Sequence, residues 1–341
     1  MINNSRSATV LSFFLLLCGL SAASGLIALP LVLSASDQTQ QEIVIGKVAG
    51  ESIVDEQSVG SETIAAIRSL SFAQEYHSLQ PSTIKSEAGI AIDAKTGDVL
   101  FAKNPDAVHP IASLTKLATA WLLFERGFDD KGSARIVSLR EERAISAYGI
   151  TNIAREDAIS GVKVLKAETF SSQDLLAASL IASANNATFA LVESQGLSPE
   201  TFANEMALLL QRTGLNATKI DEPTGLSNNT VSTARELATI VRVAFKYVPL
   251  RELTQERSHT MHSEAGTAYL LESTDDLLED MPDAVLGAKT GYLGSAGYTF
   301  TLLTKHDSGR EIIICLLGAP TKGDRFEDAR IIARWLDQNF D

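Results

Sequence analysis

The chain has 341 residues, 45% of them hydrophobic and 21% charged, and carries a formal net charge of -13. That length and apolar content suffice for one large globular core with appendages. The acidic balance excludes a nucleic-acid partner, which needs a basic footprint, and two cysteines make no disulfide framework.

Arg6 is the only charge ahead of an apolar run from Ala8 to Leu33. The run reads as an export signal, with small-residue exits at Ser21-Ala-Ala23 or Ser34-Ala-Ser36. It reads equally as an uncleaved anchor, since a bilayer takes about 20 apolar residues; apolar character resuming at Leu26 to Leu33 favours the anchor. Both readings of residues 1–36 put the rest of the chain outside the cytoplasm. Cys18 comes after the bulky Leu17, where a lipoprotein signal wants a small residue. Residues 37–85 are polar and acidic, with a helical-looking stretch from Ile64 to Tyr76, and read as a stalk leading into a domain over 86–341.

That domain opens with two strand patterns, Gly89 to Ala94 and Val99 to Lys103, joined by a hairpin turn at Lys95-Thr-Gly97. After His109-Pro110, the residues Leu114, Leu117, Ala118, Trp121 and Leu122 recur at helical spacing. Ser113 therefore stands at the N-terminus of a largely apolar helix, where a serine commonly serves as a cap. A capping box would place Glu or Gln three residues on, but this chain has Lys116. A cation in the first turn opposes the helix dipole, so the position serves something other than stability. Three residues apart on one face, Lys116 reaches the Ser113 hydroxyl. Burial and the positive helix end favour a neutral amine able to accept the serine proton.

A second helix is expected over Phe170 to Ile181, capped by Ser171 or Ser172, with Asp174 in its first turn. Ser183 and Asn185 fall at a break before the pattern resumes over Ala187 to Val192; polar residues there are turn formers unless something else claims them. His259 and His262 read as surface residues, because no acidic or cysteine partner is spaced to complete a metal site. Lys289-Thr-Gly291 runs into a strand over Tyr298 to Leu303, then a turn at Asp307 to Arg310 and a strand over Glu311 to Leu317. Cys315 lies in that strand as a small buried hydrophobe. A helix from Arg325 to Phe340 closes the chain.

Ser113-x-x-Lys116, Ser183-x-Asn185 and Lys289-Thr-Gly291 together resemble the signature of penicillin-binding proteins and serine β-lactamases. The flanks Pro110 to Ala120, Gly287 to Tyr292, Pro223-Thr-Gly-Leu226 and Ser232 to Ala238 narrow the resemblance to the low-molecular-mass D-alanyl-D-alanine carboxypeptidase family, from about Ser86 onward. Lys95-Thr-Gly97 repeats the third motif upstream of the serines, out of order, and is a decoy.

The resemblance implies a layered α/β (α+β) domain of the β-lactamase/transpeptidase-like fold, an antiparallel five-stranded sheet flanked by helices. By the same likeness Ser113 is the acylated nucleophile, Lys116 its general base and Ser183 a proton relay. Asn185 orients the substrate amide, while Lys289, Thr290 and Gly291 face the terminal carboxylate. The backbone N–H groups of Ser113 and Tyr292 form the oxyanion hole. Arg325 matches a family arginine at the carboxylate; its alternative is a solvated charge before the last helix. The implied activity is D-Ala-D-Ala carboxypeptidase on peptidoglycan stems, inhibited covalently by β-lactams, with no cofactor and no metal.

A DD-endopeptidase, a serine β-lactamase and a non-catalytic penicillin-binding homologue are the alternatives. No Glu-x-x-Leu-Asn-like motif stands between Asn185 and Lys289 to serve the lactamase. The sequence departs from the family at Asn186, where Asp is usual, at Ala167, where Gly is common, and over Glu272 to Leu278, which lacks an asparagine. The chain ends soon after its last helix, without the C-terminal β-rich domain and amphipathic anchor of many members, so the expected membrane tether is the N-terminal segment.

Overall fold

The computed structural model describes residues 81–128, 134–137 and 168–339. The signal or anchor, most of the stalk with its helix over 64–76, Cys18 and Ala167 lie outside the described residues. No helix among the described residues is long and apolar enough to cross a membrane.

The first hairpin is β1 (Ala88–Asp93) and β2 (Val99–Lys103). Its turn is Lys95-Thr-Gly97, as expected: Asp93 Oδ1 accepts from the N–H groups of Lys95 and Thr96 at 2.9 Å each, and Gly97 supplies φ +84°. A short β3 (His109–Pro110) leads through a 3-10 turn, Ala112–Leu114, into helix α1 (Thr115–Glu125). Strands β4 (Ala134–Val137) and β5 (Glu168–Ser171) pair ahead of α2 (Ser172–Leu180), α3 (Asn185–Ser194) and α4 (Pro199–Arg212). The cap of α2 is Ser171, whose Oγ accepts from Asp174 N at 3.0 Å.

Two-residue β6 (Val231–Ser232) pairs with β3 and precedes α5 (Ala234–Ala244) and α6 (Val248–Leu253). The hairpin β7 (Ser258–His262) and β8 (Ala268–Glu272) and the short α7 (Leu277–Asp280) come next. The chain then builds β9 (Val285–Leu293), β10 (Gly297–Lys305), β11 (Glu311–Ala319) and α8 (Lys322–Asn339).

Five strands form one antiparallel sheet in the order β2-β1-β11-β10-β9, so chain segments from both ends of the domain meet at its centre. Side chains alternate across the sheet with a period of two. Ile90, Ile92, Ile313, Cys315 and Leu317 join one core with α1, α2, α4 and α5, while Ile312, Ile314 and Leu316 join another with Phe326, Ile332 and Leu336 of α8. Covered on both faces, β11 therefore reads as an unbroken apolar run, Ile312 to Leu317. Packing starts upstream of β1, where Ile84 is buried and Asp328 of α8 accepts from Lys85 N, Ser86 N and Ser86 Oγ.

Candidate active site

The nucleophile candidate stands on a strained turn. Ala112 adopts φ +48° just before Ser113, a conformation that costs a β-carbon-bearing residue about 1–3 kcal/mol. The turn is clamped from behind: Gly225, at φ +85°, passes so close that a β-carbon there would lie 1.8 Å from Ala112 O. Pairing of β3 with β6 fixes the approach, with His109 opposite Ser232 and Pro110 opposite Val231.

Lys116 enters from the first turn of α1 and is fully buried. Its Nζ lies 2.8 Å from Ser113 Oγ, 2.7 Å from Asn185 Oδ1 and 2.8 Å from Thr224 O. The break between α2 and α3 delivers Ser183 and Asn185 to the same spot. Ser183 is left-handed (φ +56°), and Ala184 N–H closes the turn on Ala178 O at 3.0 Å. Without that reversal α2 would continue and carry both side chains away.

The third group comes from β9. Lys289 is buried and donates to Ser183 Oγ at 2.8 Å and to Thr290 O at 3.0 Å. Burial holds the Lys289 amine well below the ordinary lysine range, and the charges of Lys116 and Arg325 push the same way against Asp275. Thr290 Oγ1 contacts Thr274 Oγ1 at 2.5 Å. Gly291 lets this strand approach the nucleophile, since a β-carbon there would lie 2.4 Å from Thr299 Oγ1 and 3.0 Å from Ser113 N. Tyr292 comes next, half exposed, with its ring 4.4 Å from that of Tyr298.

Arg325 is not a solvated charge. It is buried in the first turn of α8, where Nη1 donates to Gly291 O at 3.0 Å. Its guanidinium lies 4.6 Å from the centre of the Phe326 ring and 5.4 Å from that of Tyr298. Burial lowers its pKa to about 10, opposed by Asp275 and Asp276. Arg325 thus braces the backbone of the third motif.

Every sequence-predicted site residue belongs to one network or its immediate wall, and the decoy at Lys95 stays in its turn. Sequence reasoning missed Thr274, Asp275 and Glu222. The first two sit in the segment noted only for a missing asparagine; a threonine touching Thr290 and a buried acid coupled to Lys289 and Arg325 stand there instead. Glu222 directly precedes Pro223-Thr-Gly and its carboxylate is buried beneath that turn. His259 also gains partners that spacing concealed: Nδ1 lies 2.9 Å from Glu256 Oε2 and Nε2 3.2 Å from Asp174 Oδ1. It stands on β7, half-buried and facing Asp174 of α2, rather than as a free surface residue, whereas His262 is exposed.

Chemically, the network presents a hydroxyl with an amine at hydrogen-bond distance, a second lysine–hydroxyl pair beside it, and an amide whose oxygen is held by Lys116. Such a set suits acyl transfer through a serine ester. A family model described as D-alanyl-D-alanine carboxypeptidase matches residues 75–321. The D-alanyl-D-alanine endopeptidase of Pseudomonas aeruginosa is 28% identical over 257 residues, covering 74% of this chain and 78% of that protein. The D-alanyl-D-alanine carboxypeptidase DacF of Bacillus subtilis is 28% identical over 243 residues, covering 71% and 59%. Among solved structures, the Streptomyces K15 DD-transpeptidase superposes with a TM-score of 0.65 at 21% identity, covering 74% of this chain and 97% of that one. That likeness shows a shared fold.

Proposed function

This chain belongs to the D-alanyl-D-alanine carboxypeptidase family, and from that premise we propose that it is a DD-peptidase that opens the terminal bond of D-Ala-D-Ala peptide stems through an ester on Ser113. Lys116 Nζ takes the Ser113 proton as Oγ attacks the carbonyl carbon of the penultimate residue. The N–H groups of Ser113 and Tyr292 hold the developing oxyanion, a donor pair of the kind worth about 3 kcal/mol per member. The C–N bond then breaks, and the leaving amine takes its proton through Ser183, which Lys289 polarises. Asn185 orients the peptide amide. Lys289, Thr290 and Arg325 attract the terminal carboxylate, and water finally releases the ester.

The observation that carries this reading is the 2.8 Å contact between Lys116 Nζ and Ser113 Oγ, with Ser113 presented by the strained turn at Ala112 and the amine held by Asn185 and Thr224. Rapid ester hydrolysis of the class A lactamase kind needs a carboxylate free to activate water. Glu222 is coupled to Lys116 but spends its oxygens on Thr224, Gly225 and Ser227, which favours the peptidase. The endopeptidase relatives favour a second reading, in which the same ester forms on a cross-link rather than a free stem.

The test is to label the full chain with a fluorescent penicillin and follow the adduct by mass. A long-lived adduct on Ser113, absent in Ser113→Ala, is expected; fast turnover would favour a lactamase, and no adduct would overturn the catalytic reading. D-alanine release from a pentapeptide, against cleavage of cross-linked muropeptides, then separates the two peptidase activities. We further propose that the N-terminal segment carries the domain outside the cytoplasm, which protease access to intact cells would test.

A further inference from the structure

The turn after α4 contains a carboxylate with no part in the acyl-transfer scheme. Glu222 is 1% exposed. Its Oε2 accepts from Thr224 N at 2.8 Å and Thr224 Oγ1 at 2.6 Å, and its Oε1 from Gly225 N at 2.5 Å and Ser227 N at 3.2 Å. Three backbone N–H groups and a hydroxyl thus converge on one side chain, which winds residues 222–227 around itself.

Two outputs of that turn reach the reacting groups. Thr224 O accepts from Lys116 Nζ at 2.8 Å. Gly225 lies against Ala112 O, under the strained residue that presents Ser113. A third link, Thr119 Oγ1 to Pro223 O at 2.8 Å, fastens the turn to α1 one helical turn beyond Lys116.

We propose that Glu222 is a positioning residue for the Ser113–Lys116 pair: its carboxylate shapes the turn that holds the lysine amine by a carbonyl and backs the nucleophile with a glycine. The inference rests on the acyl-enzyme reading and adds the element that aligns its base. A loop carbonyl left to itself would be free to tilt toward water, and a misplacement of about 1 Å at a reacting group is enough to cost roughly 100-fold in rate.

The carboxylate also acts by charge. It couples to Lys116, and Lys289 of β9 faces the same amine with the opposite sign; Ser113 and Asn185 are neutral, and Asp221 on the same turn is engaged by Thr230 Oγ1 and Ser227 Oγ. Burial raises Glu222 above the ordinary carboxylate range, while the Thr224 and Ser227 donors and Lys116 draw it back. A proton on Oε1 would have to displace an N–H already pointing there, and one on Oε2 would have to displace the Thr224 N–H or reverse the Thr224 hydroxyl bond, which favours the ionised form. A negative Glu222 stabilises the protonated amine, so removing it eases loss of the Lys116 proton while loosening its position.

These two effects move different observables. The acylation rate constant of the full chain with fluorescent penicillin is measured from pH 5 to 10 for the native protein, Glu222→Gln and Glu222→Asp. Glu222→Gln keeps the size but turns a donor toward Gly225 and Ser227. Its plateau rate is expected to fall at least ten-fold, with the acidic limb displaced to lower pH. Glu222→Asp keeps the charge on a shorter arm, so its plateau falls at least five-fold with the limb in place. A folded Gln variant with a native rate, or a slowed one whose acidic limb does not move, overturns the proposal. Should the Gln variant fail to fold by circular dichroism, the Asp variant decides alone, and a native plateau there overturns it. Labelling of Ser113 in the native protein tests the underlying reading separately.

Discussion

Replacing Asp275 by asparagine should stabilise the protein, and by an amount that grows with pH. Asp275 is 6% exposed; Oδ1 accepts from Leu277 N at 2.9 Å, but buried Oδ2 has no hydrogen-bond partner among the described residues. Burial lifts its carboxyl from 3.8 to about 6, although Leu277 N–H, Arg325 and Lys289 all pull it down. A carboxyl with a raised folded-state pKa holds its proton more tightly when folded. The native state is therefore favoured below about pH 4, and that advantage drains away as pH rises through about 6.

A shift of about two units corresponds to roughly 3 kcal/mol at pH 8, with the attraction to both cations already included. Asparagine keeps the Oδ1 acceptor and removes the charge. At about 2–4 °C per kcal/mol for a domain of this size, the variant should melt about 6–12 °C above the native protein at pH 8 and close to it at pH 4. Thermal melts across that pH range are the assay. A difference independent of pH, or an asparagine variant less stable at pH 8, would refute the reasoning. The same charge opposes a substrate carboxylate, so the variant should also bind D-Ala-D-Ala peptides with a lower KM.

Other substitutions separate chemistry from stability. Gly291→Ala should slow acylation by about 100-fold or more, the scale of a lost oxyanion donor, because its β-carbon meets Thr299 Oγ1 and Ser113 N; near-native acylation of a folded variant would count against the close approach. Lys289→Met should abolish acylation yet leave the melting temperature equal or higher, increasingly so as pH falls below the ordinary lysine value of 10.5, because burial disfavours the charged amine in the folded state. A large loss of stability there would contradict its desolvation. Arg325→Ala should cost about 2 kcal/mol by orphaning the Gly291 carbonyl, and Arg325→Lys should recover only part, lacking a planar fork that stacks between two rings. Guanidinium titrations of the three proteins check the order.

The legibility of each residue in the sequence depends on how local its signal is. Ser113 and Lys116 are legible because a lysine in a first helical turn breaks a local rule, and the central strands because β10 and β11 announce themselves by apolar runs around a turn. Ser183 and Asn185 need the fold: at a helix break they look like any turn formers, and only the arrival of Lys116 and Lys289 gives them work. Glu222 is illegible for the opposite reason. Between Asp221 and Pro223 it reads as a solvated loop acid, since its four donors lie within five residues and only folding closes them. Asp174 beside His259 escapes because it stands 85 positions away. Arg325 is ambiguous because a helix start exposes as readily as it buries.

The local costs gather in one place. Among the described residues three non-glycines have positive φ: Asn104 lies in the loop after β2, while Ala112 and Ser183 present the two serines of the network. Two buried lysines and the unpaired buried oxygen of Asp275 add to them. None of these helps a domain fold, and a sequence chosen for stability alone would remove each one. They persist because the sheet on one side and the 222–227 turn on the other over-determine the geometry, so strain that would relax elsewhere is held as alignment. The Asp275 and Lys289 predictions share that logic. If the site is built by displacing side chains from their preferred states, the substitutions that relieve it should raise stability while changing binding or chemistry, and a site whose relief cost stability would have to be held together differently.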